Sequence, residues 1–166
     1  MSCVLRRTLP ALAALVALVA SCGLTPPEEQ FSGRCVGVGD GDTIDVLVGG
    51  RSVRVRVWGV DAPEQGQPFG SAAKRFVSEF VFDKAVTVEV KEVDRYGRRV
   101  ARVTLDGRDL GLELVRAGLA WWYETHAPRA SDLADAQRDA RAARRGLWAD
   151  PDPVPPSSWR RRHPRR

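Results

Sequence analysis

Residues 51–66 read RSVRVRVWGVDAPEQG, and the fold turns on the first seven. Val53, Val55 and Val57 alternate with Arg54 and Arg56. Side chains on a strand point to opposite faces with period two, so this stretch predicts a half-buried strand with its valines inward and its arginines out. Upstream, DTIDVLV at 42–48 is a second apolar-rich run, and Gly49-Gly50 between the two is a hairpin signal. The apolar run continues through Trp58-Gly59-Val60 and stops at Asp61, and a second acid, Glu64, follows across Pro63.

Working outward, FSGRCVGVG at 31–39 and the pair AVTVEVKEV (85–93) and RRVARVTL (98–105) read as further strands, the last two joined by the turn Asp94-Arg95-Tyr96-Gly97. Between the two groups the period changes. Ala73, Phe76, Val77 and Phe80 recur at i, i+3, i+4 and i+7, which predicts an amphipathic helix over 71–82. Residues 109–117 form a second helix closed by Gly118. Leu133, Ala136, Ala140 and Ala143 line one face of a last helix ending at Gly146. Three strands, a helix, two strands and terminal helices predict an α+β, mainly β chain built as a small closed barrel with helices over its ends.

The termini read differently. Arg6 and Arg7 precede LPALAALVALVAS (9–21), too short for a comfortable span and shaped like a signal peptide. It runs into Val19-Ala20-Ser21-Cys22, which resembles a bacterial lipobox with Cys22 as the lipidated residue; a plain secretory signal is the alternative. The expectation is an exported chain on the cell envelope, with 1–21 removed, 22–30 a tether, 31–149 the folded domain and 150–166 a disordered Pro-rich and Arg-rich tail whose segment 150–158 is extended and not packed. Beyond Cys3 and Cys22 only Cys35 remains, so no internal disulfide is expected and Cys35 reads as a buried, inert thiol.

A pI near 9.6 suggests a polyanion partner, yet the charge is localised. Of 26 basic residues two are in the signal and five in the terminal RRRHPRR, leaving 19 against 21 acids. The body is not a polycation, so phosphate binding must come from a local cluster.

Such a cluster is visible. Asp42 opens the second strand and Asp61 closes the third, so a hairpin brings them together. Two converging carboxylates repel unless a hard divalent cation resolves the conflict, with water and a backbone carbonyl completing its shell. Pro63 stiffens the turn that presents Glu64, which is placed to take a proton from a water. Arg56 on the same strand and Arg98 after the Asp94–Gly97 turn offer planar forks suited to a phosphodiester. Trp121, Trp122 and Tyr123 are candidates for stacking on bases or for burial; His126 and His163 have no ligand spacing and are assigned no role.

DGDT at 40–43, RVRVWGVDAPE at 54–64, DRYGR at 94–98, LVRAGLAWWY at 114–123 and ARRGLW at 143–148 together resemble the staphylococcal nuclease (thermonuclease) family, in the manner of its exported bacterial members. The resemblance covers about 31–149 in the family's order. It implies a five-stranded OB-type barrel with three helices and a calcium-dependent nuclease acting on DNA and RNA; separately, no protein partner is expected and the chain reads as a monomer. By that likeness Asp42, Asp61 and the carbonyl of Ala62 bind calcium, Glu64 is the general base, Arg56 and Arg98 hold phosphate, and Arg95 and Tyr96 touch a neighbouring phosphate or sugar. Cleavage would leave 3′-phosphate ends. Gly111 stands where the family usually has asparagine, and its expected effect is to soften the middle helix. The competing reading is an inactive barrel on the cell envelope that binds nucleic acid or peptide; such modules lack the acids or arginines present here.

Overall fold

A computed structural model of the chain describes residues 29–164. The signal segment, Cys22 and most of the tether lie outside them. Five strands form the frame: β1 (Gln30–Val38), β2 (Thr43–Val48), β3 (Arg51–Val57), β5 (Ala85–Val93) and β6 (Arg99–Leu105), in the order β3-β2-β1-β5-β6. The antiparallel sheet curls until β3 and β6 pair in parallel, Val55 opposite Arg99 and Val57 opposite Ala101, closing the five-stranded barrel. Closure leaves no long unpaired edge. Short ribbons add to it: β4 (Val60–Asp61) pairs with β8 (Trp121–Trp122), and β7 (Arg108–Asp109) extends β6.

The alternation in 51–57 is realised: Val55 and Val57 are buried, Val53 is half-buried, Arg54 is exposed and Arg56 only partly so. Gly49 and Gly50 turn the hairpin with φ of 54° and 80°. Four helices are seen among the described residues: α1 (Gly70–Val81), α2 (Leu110–Arg116), α3 (Ser131–Ala142) and α4 (Pro156–Arg162). Ala73 and Val77 of α1, Leu110 and Leu114 of α2, and Leu133 and Ala136 of α3 merge with the barrel valines into one buried cluster. A satellite cluster gathers Trp121, Ala140, Leu147 and Trp148, with the two indoles edge to face at 5.6 Å.

The structure corrects four expectations. Asp61 does not end the third strand: β3 stops at Val57, Gly59 adopts φ 75°, and Asp61 sits on β4. The helix bearing Leu133 ends at Ala142, because Arg144 at φ 52° and Gly146 at φ 52° redirect the chain into a 3-10 turn over Gly146–Ala149, and Ala143 is exposed. Residues 150–164 are not an unpacked tail, since they contain α4, giving four helices where three were expected. The side-chain tie expected to be missing at the start of α2 is supplied by Asp109, which caps the helix by accepting from Leu112 N at 2.8 Å, and Gly111 is buried where a Cβ would lie 3.2 Å from Val57 Cγ1. Cys35 is wholly buried, as expected, and burial raises its thiol pKa.

Candidate active site

The barrel hairpin and the β4–β8 ribbon together place the acidic pair. Val57 N donates to Asp42 O at 2.8 Å, which seats Asp42 at the end of the β2–β3 hairpin. Asp61 is fixed by pairing with Trp121, and Tyr123 N donates to Gly59 O at 2.8 Å to close the ribbon. Both carboxylates are almost completely buried, at 4% and 3% exposure. Buried charges must be paired or bound to a cation, and here one guanidinium spans both: Arg56 Nη1 donates to Asp42 Oδ1 at 3.0 Å and Nη2 to Asp61 Oδ1 at 3.1 Å. Asp42 also accepts from Thr43 Oγ1 and from Ala62 N, each at 3.1 Å. The Ala62 backbone is thereby tied to the acidic pair.

Electrostatics record the cost of this burial. Desolvation pushes the Asp42 carboxyl up to about 7 despite the opposing pull of Arg56. Burial pulls Arg56 down, but Asp42 and Asp61 outweigh it and the guanidinium stays charged. Two converging buried carboxylates offer hard oxygen donors that fit a hard cation. Among the described residues no group of three His, Cys, Asp or Glu side chains comes together, so Asp42 and Asp61 would hold such an ion with backbone oxygen and water. That donor set is of the calcium or magnesium kind and not of the zinc kind.

Glu64 is held by a device the sequence did not disclose. Gln67, buried to 6% exposure, accepts from Glu64 N through Oε1 at 3.0 Å and donates its own N–H to Glu64 O at 3.0 Å. Gly70 then packs so closely that a Cβ there would lie 2.2 Å from Glu64 O. Pro63 alone does not set the position of Glu64; Gln67 and Gly70 lock it. The only signal in sequence was a glutamine among glycines and prolines, which is indistinguishable from an exposed loop residue until burial is known.

Arg98 is aimed by the turn before it. Asp94 Oδ1 accepts from Tyr96 N at 2.9 Å and Arg98 N at 3.0 Å, and Oδ2 accepts from Arg98 Nε at 2.7 Å. Desolvation works against the Asp94 charge, but these contacts prevail and hold its pKa below the usual range. Arg95 stacks over the Tyr96 ring at 4.9 Å, and that ring is 70% exposed.

An open cleft of about 1440 Å³ gathers Asp42, Arg56, Ala62, Glu64, Arg95, Tyr96 and Arg98 along its walls. Asp61 joins them through Arg56. Of the aromatic candidates only Tyr123 lines the cleft, stacked on His126 at 4.2 Å. Trp121 is buried, and Trp122 spends its Nε1–H on Ala127 O. His126 and His163 both reach the cleft wall, each against an aromatic ring. An unexpected member is Arg160 of α4. Its Nη1 donates to Glu64 Oε1 at 2.7 Å and Asp61 Oδ1 at 3.2 Å, and its Nη2 to Asp61 Oδ2 at 3.1 Å.

A closed five-stranded barrel carrying acids and arginines in one cleft defines an OB-type nuclease fold. The family model described as "Staphylococcal nuclease homologue" matches residues 54–150. A protein named micrococcal nuclease from Shigella flexneri is 38% identical over 167 residues, covering 95% of this chain and 96% of that one. An uncharacterized endonuclease of Escherichia coli O157:H7 is 44% identical over 134 residues, 80% of this chain and 87% of its own. A probable staphylococcal-like nuclease of Oryza sativa subsp. japonica is 37% identical over 111 residues, 67% of this chain and 33% of its own. The chain belongs to the staphylococcal nuclease family.

Proposed function

We propose that this chain is an exported, calcium-dependent nuclease that hydrolyses phosphodiester bonds of DNA and RNA with low sequence specificity. The observation that carries this reading is the meeting of a buried acidic pair, a locked glutamate and two arginines in one open cleft. Asp42, Asp61 and the Ala62 carbonyl would hold the ion. When bound, calcium neutralises their charge and polarises a phosphoryl oxygen.

The protein's own groups perform the rest. Arg56 and Arg98 grip the phosphoryl oxygens, where negative charge gathers as a fifth oxygen approaches phosphorus. Glu64 accepts a proton from a water as that water's oxygen bonds to phosphorus. The P–O5′ bond breaks on the opposite side, the 5′-oxygen takes up a proton, and a 3′-phosphate end remains. Arg95 and the exposed ring of Tyr96 support the neighbouring phosphate or sugar. Backbone contacts without base reading account for the low sequence specificity.

Lipid attachment at Cys22, with a monomeric domain tethered to the envelope, completes the reading on the strength of the Val19–Cys22 pattern. Plasmid digestion with calcium and with EGTA tests the core of it. Cleavage that persists unchanged in EGTA would defeat the calcium assignment, and no cleavage in either would favour a binding-only barrel.

A further inference from the structure

The C-terminal helix is built into the cleft. Pro156 is buried, and Gln67, the side chain that locks the Glu64 backbone, donates through Nε2 to Val154 O at 2.6 Å. One glutamine therefore ties the general-base loop to the tail. Beyond this anchor, α4 delivers Arg160 to both oxygens of Asp61 and to one of Glu64. Trp159 and His163, stacked at 4.0 Å, lie along the same wall.

These contacts put a guanidinium on the carboxylates that the proposed function assigns to the ion and to the base. A cation bound by Asp61 needs the oxygens that Arg160 engages. Glu64 cannot serve a water well through an oxygen that is donated to by an arginine. A guanidinium is weakly hydrated and forks onto carboxylates, so it makes a good resident counter-charge for a buried acidic pair. We infer that α4 is an autoinhibitory strap, in which docking of Arg160 and binding of the divalent cation at Asp61 exclude each other. The inference rests on the proposed role of Asp61 as a ligand. It assigns the tail a regulatory role: Arg160 covers the carboxylates, and calcium would gain the site by displacing it.

The test titrates calcium alone into the full chain in detergent by isothermal calorimetry, comparing wild type with Arg160→Ala, Arg160→Lys and Arg162→Ala. Arg162 sits in the same last turn, exposed, and its loss removes the same charge. Competition predicts that Arg160→Ala tightens the calcium Kd roughly three- to tenfold, the effect of freeing one partly exposed guanidinium–carboxylate contact. Arg160→Lys should fall between, and Arg162→Ala should match wild type. Calcium should also change Trp159 emission, read as the difference between wild type and Trp159→Phe. An unchanged Kd in Arg160→Ala would overturn the strap while leaving the calcium site standing. Equal tightening in Arg162→Ala would overturn it too, reducing the effect to net charge. Lost cleavage in Arg160→Ala at unchanged Kd would make Arg160 a phosphate contact instead. Absence of calcium binding in every folded variant would sink the ion assignment and the strap together.

Discussion

Asp42 and Asp61 are bound to one another through a single side chain, Arg56, whose two Nη atoms reach one oxygen of each at 3.0 and 3.1 Å. The acids lie 19 positions apart in sequence, Asp42 just before β2 and Asp61 on β4, and the guanidinium between them is itself mostly buried. The atoms that Arg56 ties together are the ones the proposed function assigns to an ion and a phosphate, and the site variants separate these demands.

Asp42→Ala should abolish cleavage and weaken calcium binding, because it removes one of two carboxylates and the acceptor that holds Ala62 N. Calorimetry and plasmid digestion check it together. Retained activity with normal calcium affinity would move the ion elsewhere.

Glu64→Gln keeps the shape of the side chain and removes its capacity to take a proton. It should lower kcat by about 10²–10⁴ while calcium binds nearly as before. Near wild-type cleavage would reduce Glu64 to a turn residue, and lost calcium affinity would make it a ligand.

Arg98→Ala should cost a comparable factor with calcium binding untouched, since it removes charge stabilisation in the transition state. Asp94→Ala should cost about 10- to 100-fold by letting Arg98 wander, because Asp94 accepts from Arg98 N and Nε and holds the turn through Tyr96 N. A normal kcat in Asp94→Ala would show that the turn holds Arg98 without its acid.

Gly118→Ala should destabilise the fold by at least about 2 kcal/mol in urea unfolding. Gly118 has φ 68°, and a Cβ there would lie 2.1 Å from Arg145 O, where Leu147 N bonds back to Gly118 O at 2.8 Å. Unchanged stability would mean that the Gly118–Gly146 contact yields easily.

Cys22→Ser should move the protein from the membrane fraction to the soluble one if Cys22 carries lipid. Fractionation that still requires detergent would point to an uncleaved apolar segment.

The elements of the barrel were legible because they are local. Alternation over 51–57, the glycine pair at 49–50 and the i, i+3, i+4, i+7 pattern from Ala73 depend only on neighbours, and each reappears in the structure. So did the convergence of Asp42 and Asp61, since hairpin geometry follows from strand order, although the route runs through Gly59 and a separate ribbon instead of one continuous strand. What tertiary structure alone decided is non-local. Gln67 became the lock on Glu64 because folding buried it, and a glutamine's burial depends on what packs above it. Trp121 turned inward because Trp148, 27 positions on, came to lie against it. Arg160 reads in sequence as one charge in a basic tail. It sits 96 residues from Glu64 along the chain, and only the docking of α4 turns that solvated charge into an occupant of the cleft. Sequence determines which groups can pair; which of them do so across such separations is set by the packed fold.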